Sequence, residues 1–111
     1  MSLTGNKMMT KYNKLVRDKI PEEIKKKGKV PKTHIAKREE YWEKLKEKLT
    51  EEVEEFLMED NKEELGDIME VIDAIYKFKG FDRKEIDKIK ERKKEKKGSF
   101  NERIILDEVW D

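Results

Sequence analysis

Two amphipathic runs joined by a short polar turn leave this chain few ways to fold. The first run, about residues 37–59, carries Trp42, Leu45, Leu49, Val53, Phe56 and Leu57 at the three-and-four spacing of an α-helix. The second, about 62–79, carries Leu65, Ile68, Met69, Val71, Ile72, Ile75, Tyr76 and Phe78. Between them stands Glu59-Asp60-Asn61, where Asp60 or Asn61 can cap the next helix. A connection this short makes the two helices antiparallel neighbours. The apolar face of the second is broad for so small a chain, which predicts packing against the same hairpin of a second copy.

Polar residues are mirrored about the same turn. Glu52 and Glu55 stand three residues apart on the first run, and Glu64 and Asp67 on the second. That spacing puts each pair on one helical face. Antiparallel pairing sets Glu55 level with Glu64 and Glu52 level with Asp67. Glu64 falls within the apolar stripe of its helix and Asp67 at its edge, while Glu52 flanks the stripe of the first helix. A carboxylate turned toward a core is costly unless it is paired, protonated or bound to metal. Lys48 is the nearest cation on this inner stripe. Four converging carboxylates form a hard-oxygen site suited to Mg2+, with Mn2+ as a substitute, and Mg2+ sites of this kind serve phosphates. Glu51 and Glu54 turn away on an ideal wheel. The similarly spaced pair Glu70/Asp73 lies opposite the apolar stripe and reads as surface.

The flanks are shorter elements. Asp18 as a cap, Pro21 in a first turn and Gly28 as a stop predict a helix over about 18–27. Lys29 to Ala36, interrupted by Pro31, reads as an extended connector. Asp82 and Gly98 bracket a fourth helix with Ile86 and Ile89 as its anchors. Phe100 to Trp110 reads as a short strand or a docking arm. The expectation is an all-α fold. An antiparallel hairpin is completed into a four-helix-type bundle by dimerisation, with a short N-terminal helix and a C-terminal helix plus arm. Residues 10–111 form the single domain, and residues 1–9 a disordered tail or an appended remnant.

Half of the 111 residues are charged, yet the net charge is only +1. So balanced a chain has no global field for nucleic acid. The run Arg92-Lys93-Lys94-Glu95-Lys96-Lys97 is basic but has no aromatic platform for bases. The absence of cysteine excludes disulfides and thiolate metal sites. No segment has the length and apolarity of a membrane span or the pattern of a signal peptide, so no membrane partner is expected and the cytoplasm is the expected location.

Glu51-Glu52-x-x-Glu55 followed by Glu64-x-x-Asp67 resembles the signature of the MazG-like all-α nucleoside triphosphate pyrophosphohydrolases, the superfamily that includes phosphoribosyl-ATP pyrophosphohydrolase-like proteins. The chain looks most similar to a subgroup of predicted house-cleaning pyrophosphatases for noncanonical nucleotides. The resemblance extends to the opening Tyr12-Asn13-Lys14-Leu15-Val16-Arg17-Asp18-Lys19-Ile20-Pro21 and the closing Gly98-x-Phe100-x-x-Arg103-Ile104. It runs in order from Tyr12 to about Leu106. One departure is the segment 56–63 between the acidic motifs, shorter than in the wider family, and no base-recognising residue is carried over.

The resemblance implies Mg2+-dependent hydrolysis of a nucleoside triphosphate at the α–β bond, giving monophosphate and pyrophosphate. It implies catalytic roles for Glu51, Glu52, Glu55, Glu64 and Asp67, with Glu52, Glu55, Glu64 and Asp67 as metal ligands. Lys14, Arg17, Lys19 and Arg103 are the expected phosphate-binding cations. Arg17 and Arg103 are preferred because a guanidinium grips phosphate with two donors. A homodimer or higher homo-oligomer is expected. The alternative is a non-enzymatic helical dimeric interaction module whose carboxylates only decorate its surface.

Overall fold

The structure is a computed structural model that describes residues 8–111. Its elements are four helices: α1 (Ile20–Lys26), α2 (Arg38–Glu59), α3 (Lys62–Lys79) and α4 (Arg83–Lys97). The all-α expectation holds, with no strand among the described residues. Of the tail expected at residues 1–9, residues 1–7 lie outside the described residues. The chain divides into two compact units, one running to Ile75 and one from Tyr76 to Asp111.

Local chemistry accounts for most helix ends. The Asn61 side chain accepts from the Glu64 N–H at 2.9 Å, so Asn61 caps α3. Asp82 caps α4 by accepting from the Lys84 N–H at 2.9 Å. Asp60 closes α2 in the left-handed conformation, φ 53°, and its N–H donates to the Phe56 carbonyl at 2.8 Å. Asp accepts that conformation more readily than most non-glycine residues. This lets the chain reverse between Glu59 and Lys62 with no further loop. At the end of α3, Gly80 adopts φ 69° while the Phe81 N–H returns to the Tyr76 carbonyl at 3.0 Å.

At the flanks one sequence expectation changes and one alternative is decided. Asp18 does not cap α1; the residue at that position is Lys19, with no side-chain cap, and Pro21 supplies the preset φ of the first turn. The C-terminal segment is no strand: after a turn closed by the Arg103 N–H on the Phe100 carbonyl at 3.3 Å, it carries no regular structure.

The core of the first unit is narrow. Leu45 is fully buried, Val71 nearly so, and Leu49, Phe56, Ile68 and Ile75 are half-buried around them. Beside this stripe is a second apolar one that stays exposed, comprising Val53 and Leu57 on α2 and Leu65, Met69 and Ile72 on α3. At about 100° per residue these lie on the same side of the hairpin.

Candidate metal and phosphate site

Glu52 is the buried centre of the acidic cluster. It is 6% exposed, the one charged residue so deeply placed among those described. Its position follows from the wheel: residues 45, 49, 52 and 56 share one stripe of α2, so a carboxylate replaces the aliphatic side chain that the pattern would otherwise supply. Carboxylate oxygens of Glu52, Glu64 and Asp67 lie within 4.8 Å of one another, bringing α2 and α3 together as the mirrored spacing predicts. Those of Glu51, Glu52 and Glu55 form a second group of the same tightness. Glu52 belongs to both.

Burial is the main force on Glu52 and pushes its carboxyl above the ordinary range; Lys48 opposes the shift and Glu55 adds to it. Two oxygens in the cluster, Oε2 of Glu52 and Oε2 of Glu64, are buried without a hydrogen-bond partner. Leaving such acceptors unsatisfied costs about 1–3 kcal/mol each, more when charged. Two orphaned oxygens in a five-carboxylate cluster fit a hard divalent ion, which accepts carboxylate oxygens as ligands.

Cations approach the cluster from two sources, and the larger was invisible on the helical wheel. Lys48 lies between Glu52 at 3.2 Å and Glu51 at 3.3 Å. Burial lowers the Lys48 pKa, but its contacts with Glu52 and Glu51 outweigh burial and raise it. The other cations come from the segment before α1. Lys14 Nζ donates to Glu51 at 3.2 Å, and Arg17 Nη2 donates to Asp67 Oδ1 at 2.8 Å. This segment is pinned by Lys44, whose Nζ donates to the Asn13 carbonyl at 2.6 Å while Asn13 sits at φ 47°.

The structure thus brings Glu51, Glu52, Glu55, Glu64, Asp67, Lys14 and Arg17 to one place. Glu51 differs from its ideal-wheel direction. Its long side chain swings toward the cluster, where burial raises its pKa but Lys14 and Lys48 prevail and lower it. Lys19 is exposed, its carbonyl accepting from the Glu23 N–H at 3.2 Å. Arg103 belongs to the second unit, exposed and at φ 56°. His34 pairs with Glu40 at 2.9 Å, and Lys46 stands 5.2 Å over the Trp42 ring, so neither His34 nor Trp42 joins the cluster. Sequence reasoning missed Lys44 as the anchor of the N-terminal segment. It also placed Asp73 on the surface, whereas Asp73 is half-buried. Among the described residues, no helix is long and apolar enough to cross a membrane.

Compared with models of protein families, with curated proteins and with solved structures, the chain matches none.

Proposed function

We propose that this chain hydrolyses nucleoside triphosphates at the α–β bond, releasing monophosphate and pyrophosphate, with Mg2+ or Mn2+ held by Glu52, Glu55, Glu64 and Asp67. The observation that carries the reading is the pair of buried, unpartnered oxygens of Glu52 and Glu64 beside Asp67. A divalent ion held there would supply positive charge to phosphate oxygens and lower the pKa of a water. The chain's own cations do the rest. Arg17 and Lys14 already border the cluster, where a triphosphate gives them phosphate oxygens to grip in place of carboxylates. Rigid helices on both sides of Glu52 keep the acidic groups in register, so the phosphate chain is aligned before attack. Glu51, still held by Lys48 when Lys14 turns to phosphate, stays ionised and available to accept a proton from water. The noncanonical nucleotides of the resembled subgroup are the proposed substrates, and a homodimer joined through the exposed hairpin face is the proposed assembly.

A second reading, a non-enzymatic helical dimeric interaction module, draws support from that same exposed apolar stripe. One assay separates the two: pyrophosphate release from a panel of ordinary and modified triphosphates, with and without Mg2+. Hydrolysis in oxygen-18 water should label the nucleoside monophosphate. Asp67→Asn and Glu52→Gln should each lose turnover by orders of magnitude, and Glu54→Gln should be nearly silent. Label in inorganic phosphate, or equal activity in the Asp67 and Glu54 variants, overturns the hydrolytic reading.

A further inference from the structure

Arg17 reaches the acidic cluster through a side chain that can leave it without the backbone moving. The segment before α1 is fixed on both sides of it. The Asn13 carbonyl accepts from Lys44 Nζ at 2.6 Å, Leu15 and Val16 are half-buried, and the Arg17 carbonyl accepts from the Ile20 N–H at 3.0 Å. The side chain itself is held far less. It is 57% exposed, and among the described residues its one hydrogen bond runs from Nη2 to Asp67 Oδ1. A guanidinium carries several further N–H donors, and these stay open to another acceptor.

That single bond falls on a carboxylate the metal needs. Carboxylate oxygens of Asp67, Glu52 and Glu64 lie within 4.8 Å of one another. Oε2 of both glutamates is buried without a partner, and Glu52 is only 6% exposed, which sets this group apart from the solvated carboxylates elsewhere. A guanidinium on Asp67 opposes a divalent ion here in two ways. It occupies one oxygen of a ligand, and it sets a positive charge beside the ion. Phosphate reverses the preference, because it offers the guanidinium two oxygens at once, hence two parallel bonds in place of one.

We propose that Arg17 competes with the divalent ion for Asp67 in the free protein and is drawn away by phosphate, so that metal and phosphate each strengthen the binding of the other. The coupling is reciprocal, since binding free energies around the cycle must close. This inference rests on the metal and phosphate site proposed above and adds to it a device that favours the two ligands together over either alone. It needs no hydrolysis.

Calorimetric titration of Mg2+ into the full chain, with no phosphate present, reads the competition directly. Arg17→Met should bind Mg2+ about fivefold more tightly than wild type, the fold-change equivalent to the ~1 kcal/mol of an exposed ion pair. Lys14→Met removes the same charge from Glu51, which is not among the proposed ligands, and should gain clearly less. With inorganic pyrophosphate as the phosphate probe, and affinities referred to free Mg2+, the gap between wild type and Arg17→Met should close. Equal Mg2+ affinities of wild type and Arg17→Met, or a Lys14→Met gain as large as that of Arg17→Met, refute the competition and leave the metal site standing. A gap that pyrophosphate does not narrow refutes the exchange onto phosphate. No Mg2+ binding by any of the three chains refutes the metal site itself and this inference with it.

Discussion

Replacing Glu64 by Gln tests the central physical claim, that the acidic cluster is strained in the absence of metal. Glu64 stands within 4.8 Å of both Glu52 and Asp67, measured between their carboxylate oxygens. Two ionised carboxylates at that separation repel by about 3.5 kcal/mol at an effective dielectric near 20. Lys48 at 3.2 Å from Glu52 and Arg17 at 2.8 Å from Asp67 cancel most of this. Solvent screens the partly exposed Arg17–Asp67 pair further. The residue is on the order of 1–2 kcal/mol of net repulsion on Glu64. Glu64→Gln removes that charge at nearly constant shape. The amide also brings two donors near the unpartnered oxygen of Glu52. Metal-free stability should therefore rise by about 1–2 kcal/mol, and each kcal/mol moves the Tm by about 4–8 °C in a domain of this size. Magnesium acts unequally on the two proteins. At a hundred times its Kd it should stabilise the wild type by about 2.7 kcal/mol, and it should do far less for the variant, which lacks one ligand. Thermal melts in EDTA and in saturating Mg2+ read all four states. A wild type indifferent to metal, or a variant less stable than wild type in EDTA with its full metal shift intact, would refute the reasoning.

Two further outcomes follow from burial and charge. Leu45→Ala, at the fully buried centre of the hairpin core, should destabilise by about 2–5 kcal/mol in urea melts, whereas Leu57→Ala should cost far less in a monomer because Leu57 is exposed. Burial holds the Glu52 carboxyl above the ordinary carboxylate range, so the folded state keeps this proton to higher pH than the unfolded chain does. Its contribution is therefore complete below the unfolded pKa and is lost as pH rises through the folded value, with a slope of at most about 1.36 kcal/mol per pH unit. Glu51 has the opposite sign, since Lys14 and Lys48 overcome burial and lower its pKa, so its contribution is lost as pH falls. Urea melts in EDTA across the acid range should show Glu52→Gln gaining on the wild type as pH increases; a constant difference would contradict the assignment.

The hairpin was legible because every signal for it is local. The three-and-four spacing gave α2 and α3, Asn61 and Asp82 cap as their side chains dictate, and the short turn fixed the helices as antiparallel neighbours. The mirrored carboxylates were legible for the same reason: helical rise and turn geometry alone bring Glu52 level with Asp67. Asp18 failed as a cap because Pro21 and the backbone at Lys19 start α1 without a side-chain acceptor. The pairing of Lys14 with Glu51 and Arg17 with Asp67 was not legible from periodicity. Those contacts join residues 37 and 50 positions apart, through a segment with no repeat to read.

That same distance gives the N-terminal segment its physical role. A cluster made only of Glu51, Glu52, Glu55, Glu64 and Asp67 would repel itself strongly, and α2 alone contributes only Lys48 directly against it. Lys14 and Arg17 reduce the repulsion without removing it, because the Oε2 atoms of Glu52 and Glu64 stay unpartnered. The cations also sit on exposed ends of flexible side chains, with Arg17 more than half exposed, so the Arg17–Asp67 pair contributes at most about 1 kcal/mol. A contact that weak is readily exchanged for a phosphate. It is also too weak to account for a buried glutamate at the centre of the hairpin. Lys48 pairs with one oxygen of Glu52, but the pairs made by Lys14 and Arg17 leave its other oxygen unanswered, and the proposed divalent ion, coordinated by the oxygens around it, would supply the missing stabilisation.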